Sequence, residues 1–182
     1  GTMEDVVRAY EAIMPINKNL AILQCTAAYP AEPKDLNLNV ITTFRKEFPD
    51  VVVGLSSHDN GIAMPLAAYC MGGRIVEKHF TMDRTWKGTD RSFSLEPVGL
   101  KKMCRDLDRA QEASGDGVKR QLPQEAAPLN KMGKKMVAAR PLSAVAILQE
   151  QDVALKSPAD GLSPAFFDKV IGQKLVRDLN PE

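Results

Sequence analysis

Val51-Val52-Val53-Gly54-Leu55-Ser56-Ser57-His58 (VVVGLSSH, residues 51–58) is the stretch on which the fold turns. Three β-branched residues in a row, followed by Gly54 and Leu55, make this the clearest strand in the sequence. Pro49-Asp50 bounds it on one side and the polar run Ser56 to Gly61 on the other. On the N-terminal side, residues 35–48 carry apolar positions at helical spacing and stop at Pro49. Before them, Leu20 to Tyr29 (LAILQCTAAY) is a second short apolar run, ended by Pro30 and Pro33, and reads as a buried strand. Met3 to Met14 spaces Val6, Val7, Tyr10, Ile13 and Met14 as one helical face, closed by Pro15 and Asn17. On the C-terminal side, Ile62 to Met71 reads as a packed helix capped by Gly72-Gly73. Arg74 to Thr81 (RIVEKHFT) is the third strand, and a long polar loop follows it. Leu95 to Ala113 is an amphipathic helix, with Pro97 in its first turn and Gly115 beyond its end.

Strands and helices therefore alternate, at roughly 30 residues per strand–helix unit. Short apolar strands in that order predict a parallel α/β sheet covered by helices. An open doubly wound sheet and a closed barrel both fit. No GxGxxG or GxxxxGKS/T follows any strand, so a nucleotide-binding loop is unsupported. From Ser114 to Lys135 the composition turns to Gly, Pro, Gln and Lys and reads as a linker with little core. Beyond it, MVAARPL, AILQ and DVALK are short β-type runs separated by turn residues, a small module that is marginal alone.

The net charge of +1 gives no footprint for nucleic acid. No apolar run approaches the roughly 20 residues that span a bilayer. A basic n-region followed by an apolar core is not visible either. Three cysteines, Cys25, Cys70 and Cys104, show no CxxC spacing. This speaks against a disulfide framework or a structural zinc site and for buried or inert thiols in a reducing cytosol.

In parallel α/β folds, functional groups collect at the C-terminal ends of the strands. The chain has only two histidines, and both sit there. His58 follows the VVVGL strand, and His79 lies near the end of RIVEKHFT. Two imidazoles with nearby oxygen groups suit a divalent metal such as Mn, Fe or Zn and leave positions open for water or substrate. The same positions equally fit ordinary polar strand-end residues. Glu77 shares a face with His79 and Thr81 and can orient a metal-bound water. Ser56 shares a face with His58 if extended geometry continues into the loop. Tyr29, at the end of the first apolar run, offers a hydroxyl to a ligand or packs at the rim. Asp90 lies in the loop TWKGTDRS with Trp86, Lys87 and Arg91, a ligand-binding or merely solvated loop.

QCTAAYP, DLNLNVI, FPDVVVGLSSHDNGI, GGRIVEKHFTMDRTWKGTDRSFSLEP and the closing IGQKLVRDLNPE together resemble the sialic-acid synthase family. That family includes bacterial N-acetylneuraminate synthases and animal-type N-acylneuraminate-9-phosphate synthases. The resemblance implies an α/β fold: the C-terminal portion of a (β/α)8 TIM barrel (strands six to eight, residues 1–115), a linker (116–135) and a small β-rich SAF, or antifreeze-like, domain of the β-clip type (136–182). It implies condensation of phosphoenolpyruvate with an N-acylmannosamine or its 6-phosphate, with release of phosphate. His58 and His79 fall on the family's metal-binding histidines, with Mn2+ or Mg2+ as the expected ion. Glu77 falls on an acidic residue near the metal water, and these three form the catalytic set. Ser56 falls on a phosphoenolpyruvate-binding serine, Tyr29 and Asp90 on sugar contacts. The family further implies a cytoplasmic homodimer with exchanged SAF domains, and Lys156 is the residue expected to reach the partner's substrate site.

Three departures accompany the resemblance. Ala27 stands where the family has an asparagine, removing one amide contact to substrate. Ser157 stands at the position of an arginine that bacterial members send into the partner subunit's site. Lys156 beside it supplies a charge but no bidentate fork. The opening GTMEDV resembles an internal family segment, so strands one to five, with their phosphate-binding lysines and a sugar-binding glutamate, are expected to lie outside this chain. The chain alone is then expected to be inactive. A non-catalytic SAF-containing carbohydrate- or ice-binding module and a metal-dependent aldolase on another barrel are the competing expectations.

Overall fold

The computed structural model describes residues 1–181. The chain divides after Gly117 into two compact units.

The first unit opens with α1 (Met3–Ile13), started by a reciprocal cap. Asp5 N donates to Thr2 Oγ1, and Thr2 N donates to Asp5 Oδ2 at 2.7 Å, which satisfies two otherwise orphaned N–H groups. Then come β1 (Ala21–Cys25), α2 (Asn39–Glu47), β2 (Val52–Ser57), α3 (Ala63–Cys70), β3 (Ile75–Lys78) and α4 (Pro97–Ser114). The three strands form one parallel sheet in the order β1-β2-β3. The register aligns Leu23 with Gly54 and Ile75, and Cys25 with Ser56 and Glu77. This is the strand–helix repeat of a barrel segment, as the family resemblance implies.

Alternation along β2 sorts its side chains. Val53 and Leu55 point to the helices and pack with Ile41, Phe44, Phe48 and Ala68 in one core. Tyr10 of α1 joins it through a ring contact with Phe48 at 4.9 Å, its hydroxyl donating to Asp50 at 2.7 Å. Gly54 and Ser56 face the other way. A side chain at Gly54 would collide with the Ile75 carbonyl, so glycine sets how closely β2 and β3 approach. Gly72, at φ +102°, ends α3 in a conformation that disfavours any Cβ.

On the strands, Val53 is 3% exposed, Val52 46% and Ile75 38%, in keeping with three strands that cannot close a barrel by themselves. The helix layer covers the outer face, while on the inner face Ser56 and His58 are buried and Val52 and Ile75 stay partly exposed. The run from Leu20 to Tyr29 is a strand only as far as Cys25, and β1 is half-buried rather than buried. Its ladder with β2 ends at Cys25 opposite Ser56. Past that point the Thr26 carbonyl turns to the His58 ring and the Ala31 N–H to the His58 carbonyl. All three cysteines are free and exposed, so none serves as a core residue.

In the second unit, the stretch read as a linker contains a 3-10 turn (Pro123–Glu125) and α5 (Ala126–Met132). Glu125 accepts from the Leu122 N–H at 2.6 Å, and no residue of α5 is buried, in keeping with its polar composition. β4 (Lys135–Ala138) pairs antiparallel with β5 (Val153–Lys156), and single bridges join Leu142 to Leu179 and Ile147 to Lys174. A short helix α6 (Phe167–Val170) follows. Arg140 grips the buried Asp152 carboxylate with Nε and Nη2, both at 2.8 Å. A cavity of ≈ 580 Å³ lies inside this unit, lined chiefly by aliphatic side chains from Met136 to Leu179. No helix among the described residues is long and apolar enough to cross a membrane.

Candidate functional site

His58 follows directly after β2 and is 5% exposed. Its Nδ1 lies 2.9 Å from the Thr26 carbonyl. A carbonyl only accepts, so Nδ1 carries the hydrogen and Nε2 keeps a free lone pair, the state a metal ligand requires. His79 follows directly after β3. The Leu95 N–H donates to the His79 carbonyl at 2.8 Å, and Thr81 N to the Leu95 carbonyl at 2.9 Å. The segment Ser94-Leu95-Glu96-Pro97 therefore fixes the backbone under His79. Its Nδ1 stands 3.9 Å from Asp90 Oδ2, beyond hydrogen-bond reach.

The two imidazoles meet edge to face, with centroids 5.1 Å apart. Metal–nitrogen bonds of about 2.1 Å keep the centroids of two imidazoles on one ion within about 6.5 Å of each other, so this pair fits a shared divalent ion. Among the described residues no group of three His, Cys, Asp or Glu side chains converges on one point.

Around the pair, Tyr29 places its ring 4.3 Å from His58 and 6.0 Å from His79. Phe93, fully buried, lies 5.2 Å from His79 and 6.1 Å from Tyr29. The structure thus brings together His58, His79, Tyr29 and Asp90. One layer deeper on the same inner face, Ser56 Oγ donates to Glu77 Oε1 at 2.7 Å. Extended geometry does continue through Ser57, which puts Ser56 on the His58 side. Glu77 is exposed there. Arg91 lies over the Trp86 ring at 5.3 Å, while Lys87 is exposed. Asp83 organises the loop by accepting from Thr85 N and Oγ1 at 2.8 and 2.7 Å, bonds that hold its carboxyl below the usual carboxylate range. Lys156 stands exposed on β5 of the second unit.

Sequence reasoning missed four contributors. The Thr26 carbonyl sets the His58 tautomer, a backbone role with no residue signature. Phe93 gave no signal inside a polar loop. Asp59 and Lys78 form an ion pair at 2.9 Å, with side chains 4% and 3% exposed. Their only sequence cue is adjacency, Asp59 following His58 and Lys78 preceding His79.

Residues 1–119 match the NeuB family and residues 136–181 the SAF domain. N-acetylneuraminate-9-phosphate synthase of Homo sapiens is 38% identical over 96% of this chain and 49% of its own length. N,N'-diacetyllegionaminic acid synthase of Campylobacter jejuni is 35% identical over 86% of this chain and 46% of its own. Among solved structures, a spore coat polysaccharide biosynthesis protein of Bacillus subtilis superposes with TM-score 0.60 at 30% identity, covering 100% of this chain and 56% of that one. An N-acetylneuraminic acid synthetase of Leptospira borgpetersenii, solved with citrate, gives 0.63 at 29% identity over 71% of this chain and 45% of that one. The chain spans about half the length of the curated relatives it matches. With its parallel strand–helix unit and its small antiparallel module, the chain belongs to the NeuB family and carries a SAF domain in its C-terminal residues.

Proposed function

We propose that this chain is the C-terminal half of a sialic-acid synthase, which condenses phosphoenolpyruvate with an N-acylmannosamine or its 6-phosphate. The observation that carries the proposal is the meeting of the chain's only two histidines at 5.1 Å, beside Tyr29 and Asp90. His58 Nε2 and the His79 ring would hold Mn2+ or Mg2+, which supplies Lewis-acid polarisation of the open-chain sugar's aldehyde. The Thr26 carbonyl orients the His58 ring through Nδ1, and Asp90 steadies His79. Tyr29 and Asp90 line the sugar side, and Phe93 closes the floor against water. Ser56 offers its hydroxyl to phosphoenolpyruvate, and Glu77, its partner, takes and returns a proton at the water that adds. Overall, the enol carbon bonds to the aldehyde carbon, water adds to the former enol-ether carbon, and its bond to the phosphate oxygen breaks.

The relatives named as N-acetylneuraminate-9-phosphate synthases favour the 6-phosphate sugar, with Lys87 as its exposed cation. The exposed inner face, with Val52 and Ile75 uncovered, supports the further proposal that the 182 residues alone do not turn over. A complementing barrel half would restore activity, in a cytoplasmic homodimer where Lys156 reaches the partner's site. Mn2+ titration followed by electron paramagnetic resonance tests the core of this reading. One ion should bind per chain, and His58→Ala with His79→Ala should abolish binding. Stoichiometric binding in the double variant sinks the metal assignment. Substrate turnover by the isolated chain at the rate of an intact synthase sinks the half-site.

A further inference from the structure

We propose that Asp59 and Lys78 are positioning residues that set the spacing between His58 and His79. The inference rests on the reading of that histidine pair as one working site.

The β2–β3 ladder ends at Ser57 opposite Lys78. Beyond that point each histidine is tied to its own loop. His58 is held to Thr26 and Ala31, and His79 to Leu95. Besides the ring contacts that the histidines make with each other and with Tyr29, the Asp59–Lys78 pair links the two histidine-bearing turns by charge-assisted hydrogen bonds. Lys78 Nζ donates both to the Asp59 carbonyl and to Asp59 Oδ1, and Ser57 Oγ donates to the same carboxylate oxygen. Alternation puts Lys78 on the helix-facing side of the sheet and His79 on the inner side. The pair thus works behind the site, out of reach of any ligand, one residue from each histidine.

Burial of both charges argues for a positional role. A buried ion pair loses most of its Coulomb gain to desolvation, and apolar residues of equal volume hold such a space as well or better. What apolar residues lack is direction. Three donors on one ammonium, engaged by a backbone carbonyl and a carboxylate of the same residue, fix the turn at residues 58–59 laterally against β3. Groups that orient metal ligands from behind typically change metal affinity 10- to 100-fold when lost.

The chain's two histidines make this measurable without metal or substrate. In histidine-labelled protein, the apo form should show two sets of imidazole signals and a cross-relaxation peak between the rings. Asp59→Asn with Lys78→Met removes both charges together and leaves neither unpaired. This double variant should keep its far-ultraviolet circular dichroism yet lose at least two-thirds of the inter-ring peak, and Mn2+ affinity should fall at least tenfold. Lys78→Arg, which keeps the charge and adds donors, should retain both signals. Asp59→Glu, which shifts the carboxylate by one methylene, should move both imidazole resonances, and it serves if the double variant does not fold. A folded double variant with the parent's inter-ring peak, or Asp59→Glu with unmoved resonances, overturns the proposal. Absence of Mn2+ binding in the parent overturns the metal reading instead, while the metal-free peak still decides the positioning role.

Discussion

Replacing Val53 and Val52 by alanine, one at a time, asks whether β2 has one covered face or two. The residues are neighbours on one strand with the same side chain, and the fold separates them by 3% against 46% exposure. Val53 sits in the core with Leu55, Ile41, Phe44 and Phe48. Removing two of its carbons forfeits about 1.6 kcal/mol of transfer free energy, and the residual cavity raises the cost to roughly 2–3 kcal/mol. Val52 has no covering layer, so its truncation leaves no cavity and removes only partly buried carbons. Its expected cost is below about 1 kcal/mol, part of it the lower strand propensity of alanine. The difference, about 1.5–2 kcal/mol, is well resolved by urea unfolding. Far-ultraviolet circular dichroism and the fluorescence of Trp86, the only tryptophan, together report on the first unit. Equal costs for the two variants would refute the exposed inner face and mean that something covers it in solution. A cost at Val52 that grows with protein concentration would identify self-association as the cover.

Two further outcomes follow from local chemistry. The Tyr10 hydroxyl donates to the Asp50 carboxylate, which raises its ionisation above the usual phenol range. The protonated phenol is the form the fold prefers, so the contribution is complete below about pH 10 and is lost as pH rises through the folded value. Tyr10→Phe should flatten the alkaline limb of the stability profile measured by urea midpoints, and an unchanged limb would remove the bond from the account. In the second unit, Arg140→Ala takes both guanidinium N–H groups from the buried Asp152 carboxylate, which keeps the Gln149 N–H, and should cost about 1–2 kcal/mol because Arg140 is itself largely exposed. Arg140→Lys should recover only part of that, since an ammonium brings one nitrogen to Asp152 Oδ1 where the guanidinium brings two, and thermal unfolding of the two variants checks the order.

The histidines were legible from their placement. Both fall just past runs rich in β-branched or apolar residues, and strand ends are where parallel α/β folds gather function. Tyr29 and Asp90 were legible only through the motifs around them, because a tyrosine before proline and an aspartate in a charged loop have many uses. The extent of β1 was misjudged because Thr26, Ala27 and Ala28 extend an apolar run although their backbone leaves the ladder to serve His58. The α5 turn inside the Gln- and Lys-rich stretch was missed for a related reason, since a helix with no buried face has no apolar period to detect.

Sequence alone determined the strand–helix order and the level of the two histidines, which follow from local composition and spacing, and the family, which follows from the resemblance of its motifs. Tertiary structure decided what depends on neighbours distant in the chain. It assigned Val52 to an open face and Val53 to the core, made the Thr26 carbonyl the partner of His58, and joined Asp59 to Lys78 across the end of the sheet. A residue's type and period say which way it points along its own strand. Only the packed sheet says what it meets there, and at this site those meetings set the tautomer, the spacing and the exposure on which the proposed chemistry depends.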